Sequence, residues 1–376
     1  MLIAIFADAL GYCYTRYPLI QKALERTFPS VVPLRSMLGY SAGIMPSIWT
    51  SSYPHDHGYW AEWVLKSDYV PRSLRIRRIQ WIMRCLFLYG VKTGMLFLTN
   101  RSSLNPALPT AITKVFSCRN FDVTTPFILK APPSLFWILQ EYDIRYRYCC
   151  CRKIEDLVLP KDERTDIIIY HLGELDGLGH SLGPKSDQLV HRILTLLDRV
   201  DALAKKADGL CLFSDHGMFP IKRRIDLLAV LETLSPKLGL DYLVFLDATM
   251  ARFWFFSNQA RTEIMSSLSD LTYGHFLTST ERDDNGLNFN TEIYGQEIYL
   301  VNPSVEIFPN FFHPLYKGFF KGLHGYTASA LSSWAMFATT LNLQSTTGSV
   351  LDISPTILQL LNVSSQQEWK GKSLIN

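Results

Sequence analysis

Seven apolar residues, Met1 to Ala7, open the chain and stop at a carboxylate, Asp8. The same event recurs further along. Ile167–Tyr170 runs into His171-Leu-Gly-Glu-Leu-Asp176-Gly-Leu-Gly-His180, and Leu210–Phe213 runs into Ser214-Asp215-His216-Gly217. A fourth apolar run, Trp334–Thr339, follows His324-Gly325. Such runs show little polar–apolar alternation, which is the pattern of strands covered on both faces. Segments with helical spacing lie between and after them. Leu189, Ile193, Leu196, Leu197, Val200 and Leu203 follow Pro184 and precede Gly209, and Asp352–Leu361 carries Pro355 in its first turn. This order predicts an α/β fold, a largely parallel sheet with helices on both faces. Ligands then belong beyond the carboxyl ends of the strands, where Asp8, Asp176 and Asp215 fall.

At 376 residues the chain exceeds the size at which one plain core stops growing. The expectation is a single catalytic domain over 1–376 with two insertions. One is 65–130, basic, apolar and aromatic; the other is 219–320, rich in turns and aromatics. Both are candidate caps over the site. Hydrophobic residues at 48% and charged residues at 19% fit a globular enzyme with a substantial core. A formal charge of +3 is too small to argue for a nucleic-acid polymer as partner. Seven cysteines, three of them consecutive (Cys149, Cys150, Cys151), do not make a disulfide framework. A reducing, cytoplasmic setting is expected. The first residues lack a basic leader region and run straight into Asp8. The apolar stretch 79–98, preceded by Arg72, Arg75, Arg77 and Arg78, is broken by Arg84, Gly90, Lys92 and Gly94. It reads as a buried insert rather than a membrane span, with peripheral membrane contact through 72–98 as the second reading.

The candidate chemistry rests on seven side chains: Asp8, Ser41, Asp176, His180, Asp215, His216 and His324. Asp8, Asp176, His180 and His324 singly match chance, while Asp215-His216 is stronger because it directly follows an apolar run and precedes Gly217; together and in this order the seven supply three carboxylates, three imidazoles and a hydroxyl. That set suits two divalent cations, zinc or manganese, flanking a nucleophile. Magnesium alone would not be expected to recruit three histidines. A serine hydroxyl is a weak nucleophile until a neighbouring cation or base activates it. Ser41 stands ahead of Thr50-Ser-Ser-Tyr-Pro-His-Asp-His-Gly58, and Ser47, Thr50, Ser51 and Ser52 compete with it. His55, His171, His191, His275 and His313 have no ligand spacing, and Glu174 is read as a residue supporting the ligands.

The stretches FADALGY, SAGIMPSIWTSSYPHDHG, HLGELDGLGHSLGP, LFSDHGM, GLHGY and SVLDISPTILQLLN, with the closing GKSL, resemble the alkaline phosphatase superfamily. Within it they are most similar to the type I phosphodiesterase/nucleotide pyrophosphatase branch. APPSLFWILQEYDIRYRY resembles the segment that re-enters the core after the first insertion. The resemblance implies an alkaline-phosphatase-like core and hydrolysis of a small phosphorylated substrate. It implies one ion on Asp176, His180 and His324, a second on Asp8, Asp215 and His216, and Ser41 as nucleophile. Two departures stand out. Where the nucleotide pyrophosphatases carry an asparagine that donates to a phosphate oxygen, this chain has Glu62, which donates only when protonated. Gly43 and Met45 exclude the proline and arginine that sulfatases need after their modified residue. A phosphotransferase or phosphomonoesterase of the same superfamily, acting on a lipid, glycan or small metabolite, is the rival reading. A binding module on the same fold is the non-enzymatic one.

Overall fold

The first apolar run forms strand β1, Leu2–Ala7, buried along its whole length. The computed structural model describes residues 1–67, 115–118, 132–159, 164–311, 319–327, 330–364 and 368–375. The apolar stretch 79–98, most of 65–130, and His313 lie outside them. Six further strands join β1: β2 (Val31–Arg35), β3 (Tyr146–Cys151), β4 (Ile167–Leu172), β5 (Gly209–Phe213), β6 (Ala335–Thr339) and β7 (Gly348–Ser349). Their order across the sheet is β7-β2-β6-β5-β1-β4-β3. β1 runs parallel to both neighbours, β4 and β5, and β3 is parallel to β4. The free thiols Cys149, Cys150 and Cys151 all lie in β3, the edge strand on that side.

Helices cover both faces, because successive side chains of a strand point to opposite sides. Leu2, Ala4 and Phe6 pack with α2 (Ser41–Thr50), α3 (Leu135–Glu141) and α6 (Ile353–Leu360). Ile3, Ile5 and Ala7 pack with α1 (Pro18–Glu25) and α5 (Asp187–Ala204). The remaining core helix, α4 (Glu174–Leu182), begins one residue after Gly173 at the end of β4.

Two details differ from the sequence expectation. β6 is antiparallel to β2 and β5 in an otherwise parallel sheet. It follows the His324 segment, so it starts at the end of the sheet where the polar motifs gather and must run back. Gly209 opens β5 instead of closing α5, which ends at Ala204 and is followed by the turn Lys205–Asp208.

Within 219–320 a second sheet forms, antiparallel, in the order Tyr242–Leu246, Met250–Phe255, Glu297–Val301, Gly274–Phe276. It has its own core around Phe245, Phe253, Trp254 and Tyr299, which also takes in Trp63 and Phe116. Among the described residues no helix is long and apolar enough to cross a membrane.

Candidate active site

Each polar motif is delivered by the end of a core element. Asp8 follows β1, and its N–H donates to Leu172 O of β4 at 3.0 Å. The next residue, Ala9, has φ +63°, in the left-handed region that a side chain disfavours. That turn aims the Ala9 N–H at Asp215 Oδ1, 3.3 Å away. Asp176 and His180 are four apart on α4 and therefore share a face, with His180 Nε2 3.2 Å from Asp176 Oδ1. Asp215 and His216 follow β5, and His324 follows the short strand Gly322–Leu323.

Ser41 is the first residue of α2, where the helix dipole favours negative charge. Its Oγ lies 2.8 Å from His216 Nε2 and 3.3 Å from Asp8 Oδ1. The competing hydroxyls are fully buried and otherwise engaged. Ser47 Oγ pairs with His57 Nε2 at 2.9 Å, Thr50 Oγ1 donates to Pro46 O, Ser52 pairs with Thr50, and Ser51 Oγ donates to Leu351 O. Burial holds the His57 imidazole far below its usual range, at about 3.

All seven sequence-selected side chains meet in one cluster. His324 Nε2 is 3.5 Å from Asp176 Oδ1, and His216 Nε2 is 3.4 Å from Asp8 Oδ1 and 3.3 Å from Asp215 Oδ2. The His216 and His324 rings stack with centroids 3.7 Å apart. Two sets of donor atoms each fall within 4.8 Å of one another: Asp176, His180 and His324, and Asp8, Asp176 and His216. Asp176 thus belongs to both sets, where the resemblance divides the ligands without sharing.

This donor set fits divalent cations on independent grounds. Asp176 Oδ1, Asp215 Oδ2 and His324 Nδ1 are buried without a hydrogen-bond partner among the described residues, a costly arrangement unless something else satisfies them. His180 Nδ1 faces Gly322 O at 2.8 Å and His216 Nδ1 faces Gly217 O at 2.9 Å. Those carbonyls fix the proton on Nδ1 and leave each Nε2 lone pair pointing inward, as metal-bound imidazoles require.

In the ion-free fold burial works against charge on His180 and His216, but Asp176 beside the first and Asp215 and Asp8 beside the second outweigh it and raise both imidazoles, so a cation taking these Nε2 atoms would displace protons. Burial, then the Asp8 charge, pushes the Asp215 carboxyl up to about 7. Burial opposes ionisation of Asp176 too, but His180, His324 and His216 outweigh it and hold that carboxyl below its usual range. Burial and the neighbouring His216 push His324 well below the ordinary imidazole range, so its ring is neutral and available as a ligand.

Three residues take positions that the sequence did not suggest. His171, in β4, stacks on Phe6 at 4.6 Å, and its Nδ1 lies 3.1 Å from Tyr148 Oη. Burial works against its charge, but Asp8 and Cys150 raise the imidazole to about 9, so it backs the Asp8 carboxylate. A histidine inside an otherwise apolar strand was the available signal. Tyr40 sets its ring edge-on to His324 at 5.6 Å and pairs with Thr249 at 2.9 Å. Glu174, expected near the ligands, instead receives Arg192 at 2.8 and 3.0 Å and the Ile154 N–H at 2.7 Å. It ties α4 to α5.

Glycine is required two residues after Ser41 by close approach. A Cβ at Gly43 would stand 2.0 Å from Trp60 O, a backbone atom with no freedom to retreat. Gly43→Ala is therefore expected to cost about 1–3 kcal/mol by overpacking. Because Ser41 shares that helical turn, kcat should fall as well; thermal melts and turnover measured on the same sample check both.

An α/β core whose strand ends gather carboxylates, imidazoles and one hydroxyl into a metal-type cluster defines a hydrolase of phosphoric esters. The chain belongs to the type I phosphodiesterase/nucleotide pyrophosphatase family, whose model matches residues 40–263. No curated protein matches it by sequence. Among solved structures it is similar to human ectonucleotide pyrophosphatase/phosphodiesterase 5, with 14% identity, a TM-score of 0.69 and 99% and 97% of the two chains covered. The murine protein of the same name gives 13% identity and a TM-score of 0.63, with both chains covered in full. An inactive variant of that murine protein in complex with AMP gives 14% and 0.61, covering 97% and 96%. At these identities the likeness concerns the fold.

Proposed function

We propose that the chain is a phosphodiesterase that works through a serine nucleophile, Ser41, between two divalent cations. The observation that carries this reading is the position of Ser41 Oγ, at a helix start and within 3.3 Å of both Asp8 Oδ1 and His216 Nε2. Asp176, His180 and His324 would hold one ion, and Asp8, Asp215 and His216 the other; three imidazoles favour zinc over harder ions. When bound, such ions supply Lewis acidity toward phosphoryl oxygens and lower the pKa of a coordinated hydroxyl.

Ser41 Oγ attacks phosphorus in line, the ester oxygen opposite leaves, and a phosphoseryl ester of the remaining group forms. Water then cleaves that ester and restores the hydroxyl. The first turn of α2 directs its positive end at the charge on the non-bridging oxygens. The Gly322 and Gly217 carbonyls keep the His180 and His216 rings in one orientation throughout.

Charge supports a diester over a monoester. Three aspartates against two dications leave one positive charge, which a singly charged diester neutralises. Glu62 is proposed to face the substrate in place of the family's amide. With zinc or manganese restored after chelation, kcat/KM for bis(p-nitrophenyl) phosphate is expected to exceed that for p-nitrophenyl phosphate by at least about tenfold, or 1.4 kcal/mol. A monoester preference would overturn the diesterase reading, and transfer of the phosphoryl group to an added alcohol in place of water would favour a phosphotransferase.

A further inference from the structure

His180 and His216 each have a carbonyl at Nδ1 to orient the ring, but His324 Nδ1 has no hydrogen-bond partner among the described residues. Its ring is held by packing, stacked on His216 and edge-on to Tyr40. Behind Tyr40 stands Thr249, fully buried in the turn between the strands Tyr242–Leu246 and Met250–Phe255 of the second sheet. Its hydroxyl donates to Gly325 O, one residue past His324, at 3.1 Å. That proton is then committed, so across the 2.9 Å contact Tyr40 Oη donates to Thr249 Oγ1. The Thr249 N–H donates back to Tyr40 Oη at 3.0 Å, and Thr249 O accepts from the Val301 N–H at 3.0 Å. The approach is close. Gly325 has φ +92°, and a Cβ there would stand 2.9 Å from Tyr40 Cε1 and 3.0 Å from Thr249 Oγ1.

From this arrangement we infer that Thr249 is a positioning residue, whose one hydroxyl holds His324 through Gly325 and Ser41 through Tyr40. The inference rests on the two-cation reading of the site and deepens it, because it makes the second sheet part of the catalytic apparatus. Tyr40 directly precedes Ser41 and is the capping residue of α2, so a shift of its ring turns the backbone of the nucleophile. Gly325 directly follows His324, so a Gly325 carbonyl without its donor lets the imidazole drift. Supports of this outer kind set metal affinity by roughly 10–100-fold. Misplacing an attacking atom by about 1 Å costs on the order of 10²-fold in rate.

The test compares Thr249→Val, which keeps the shape and loses the hydroxyl, with Thr249→Ser, which keeps the hydroxyl. Zinc affinity is read by competition with a chromophoric chelator, and ligand geometry by the visible spectrum of the cobalt-loaded protein. Thr249→Val is expected to lose at least about tenfold in affinity for one of the two zinc ions, with a changed cobalt spectrum. At saturating zinc its kcat should stay at least about tenfold below wild type, with KM within about twofold. Thr249→Ser should match wild type in each respect. Wild-type zinc affinity, an unchanged cobalt spectrum or wild-type kcat in Thr249→Val overturns the inference, as do equal losses in both variants. If Thr249→Val does not fold, Tyr40→Phe breaks the same bracket from the other side, and wild-type kcat there overturns the inference. If the unaltered protein takes up no zinc, the functional reading fails and takes the inference with it; zinc uptake with no loss in the variants defeats the inference alone.

Discussion

Ser41→Ala is expected to lower diester turnover by at least about 10³-fold, the scale on which removal of a covalent nucleophile acts. Metal content should remain unchanged. The alanine deletes one oxygen, with its contacts to His216 and Asp8, from a half-buried helix start and leaves all six nitrogen- and oxygen-bearing side chains of the cluster in place. Acid quenching of wild type with a radiolabelled diester should trap label on protein, and the variant should trap none. Turnover within about tenfold of wild type would exclude Ser41. Attention would not then shift to Ser47, Thr50, Ser51 or Ser52, which are fully buried and already hydrogen-bonded.

Asp215→Asn is expected to have opposite effects on ion-free stability and on metal binding. In the ion-free fold the Asp215 carboxyl is held up to about 7, against an ordinary 3.8, by burial and by Asp8. A carboxyl raised in this way contributes fully below its unfolded pKa, and that contribution is lost as pH rises through 7. At pH 8 the fold carries a buried, unneutralised charge. Asparagine removes that charge and keeps an oxygen for the Ala9 and His216 N–H donors. With chelator present at pH 8, the variant should therefore be more stable than wild type by a few kcal/mol, at about 1.4 per pKa unit. The gap should narrow as pH falls toward 5.5. With zinc present the order should invert, because the variant has lost a ligand and at least about 100-fold in metal affinity, with activity following. Denaturant midpoints with and without zinc measure both halves. An ion-free variant less stable than wild type at pH 8 would sink the account.

How much of this was readable beforehand differs from element to element. β1, β4 and β5 were legible because strands buried on both faces leave unbroken apolar runs, and each run ended where a ligand began. The pairing of Asp176 with His180 was legible from four-residue spacing on a helix. Ser41 was legible only through the resemblance. What separates it from Ser47 or Thr50 is burial, which no local pattern encodes. The direction of β6 was hidden for a related reason, since an apolar run carries no sign of which way it runs. His171 behind Asp8 depends on the register of β4 against β1, and Glu174 depends on Arg192, eighteen positions away and on another helix. Both are facts of packing between elements.

β1 lies in the middle of the sheet, yet its two neighbours are made more than 160 residues later, and His324 comes later still. During synthesis the first strand must therefore wait for partners, and a nascent chain short of residue 324 lacks one of its imidazoles. Ribosome-tethered fragments should accordingly gain tight zinc retention in a single late step rather than by degrees, keeping a reactive hydroxyl idle until the polypeptide is nearly complete.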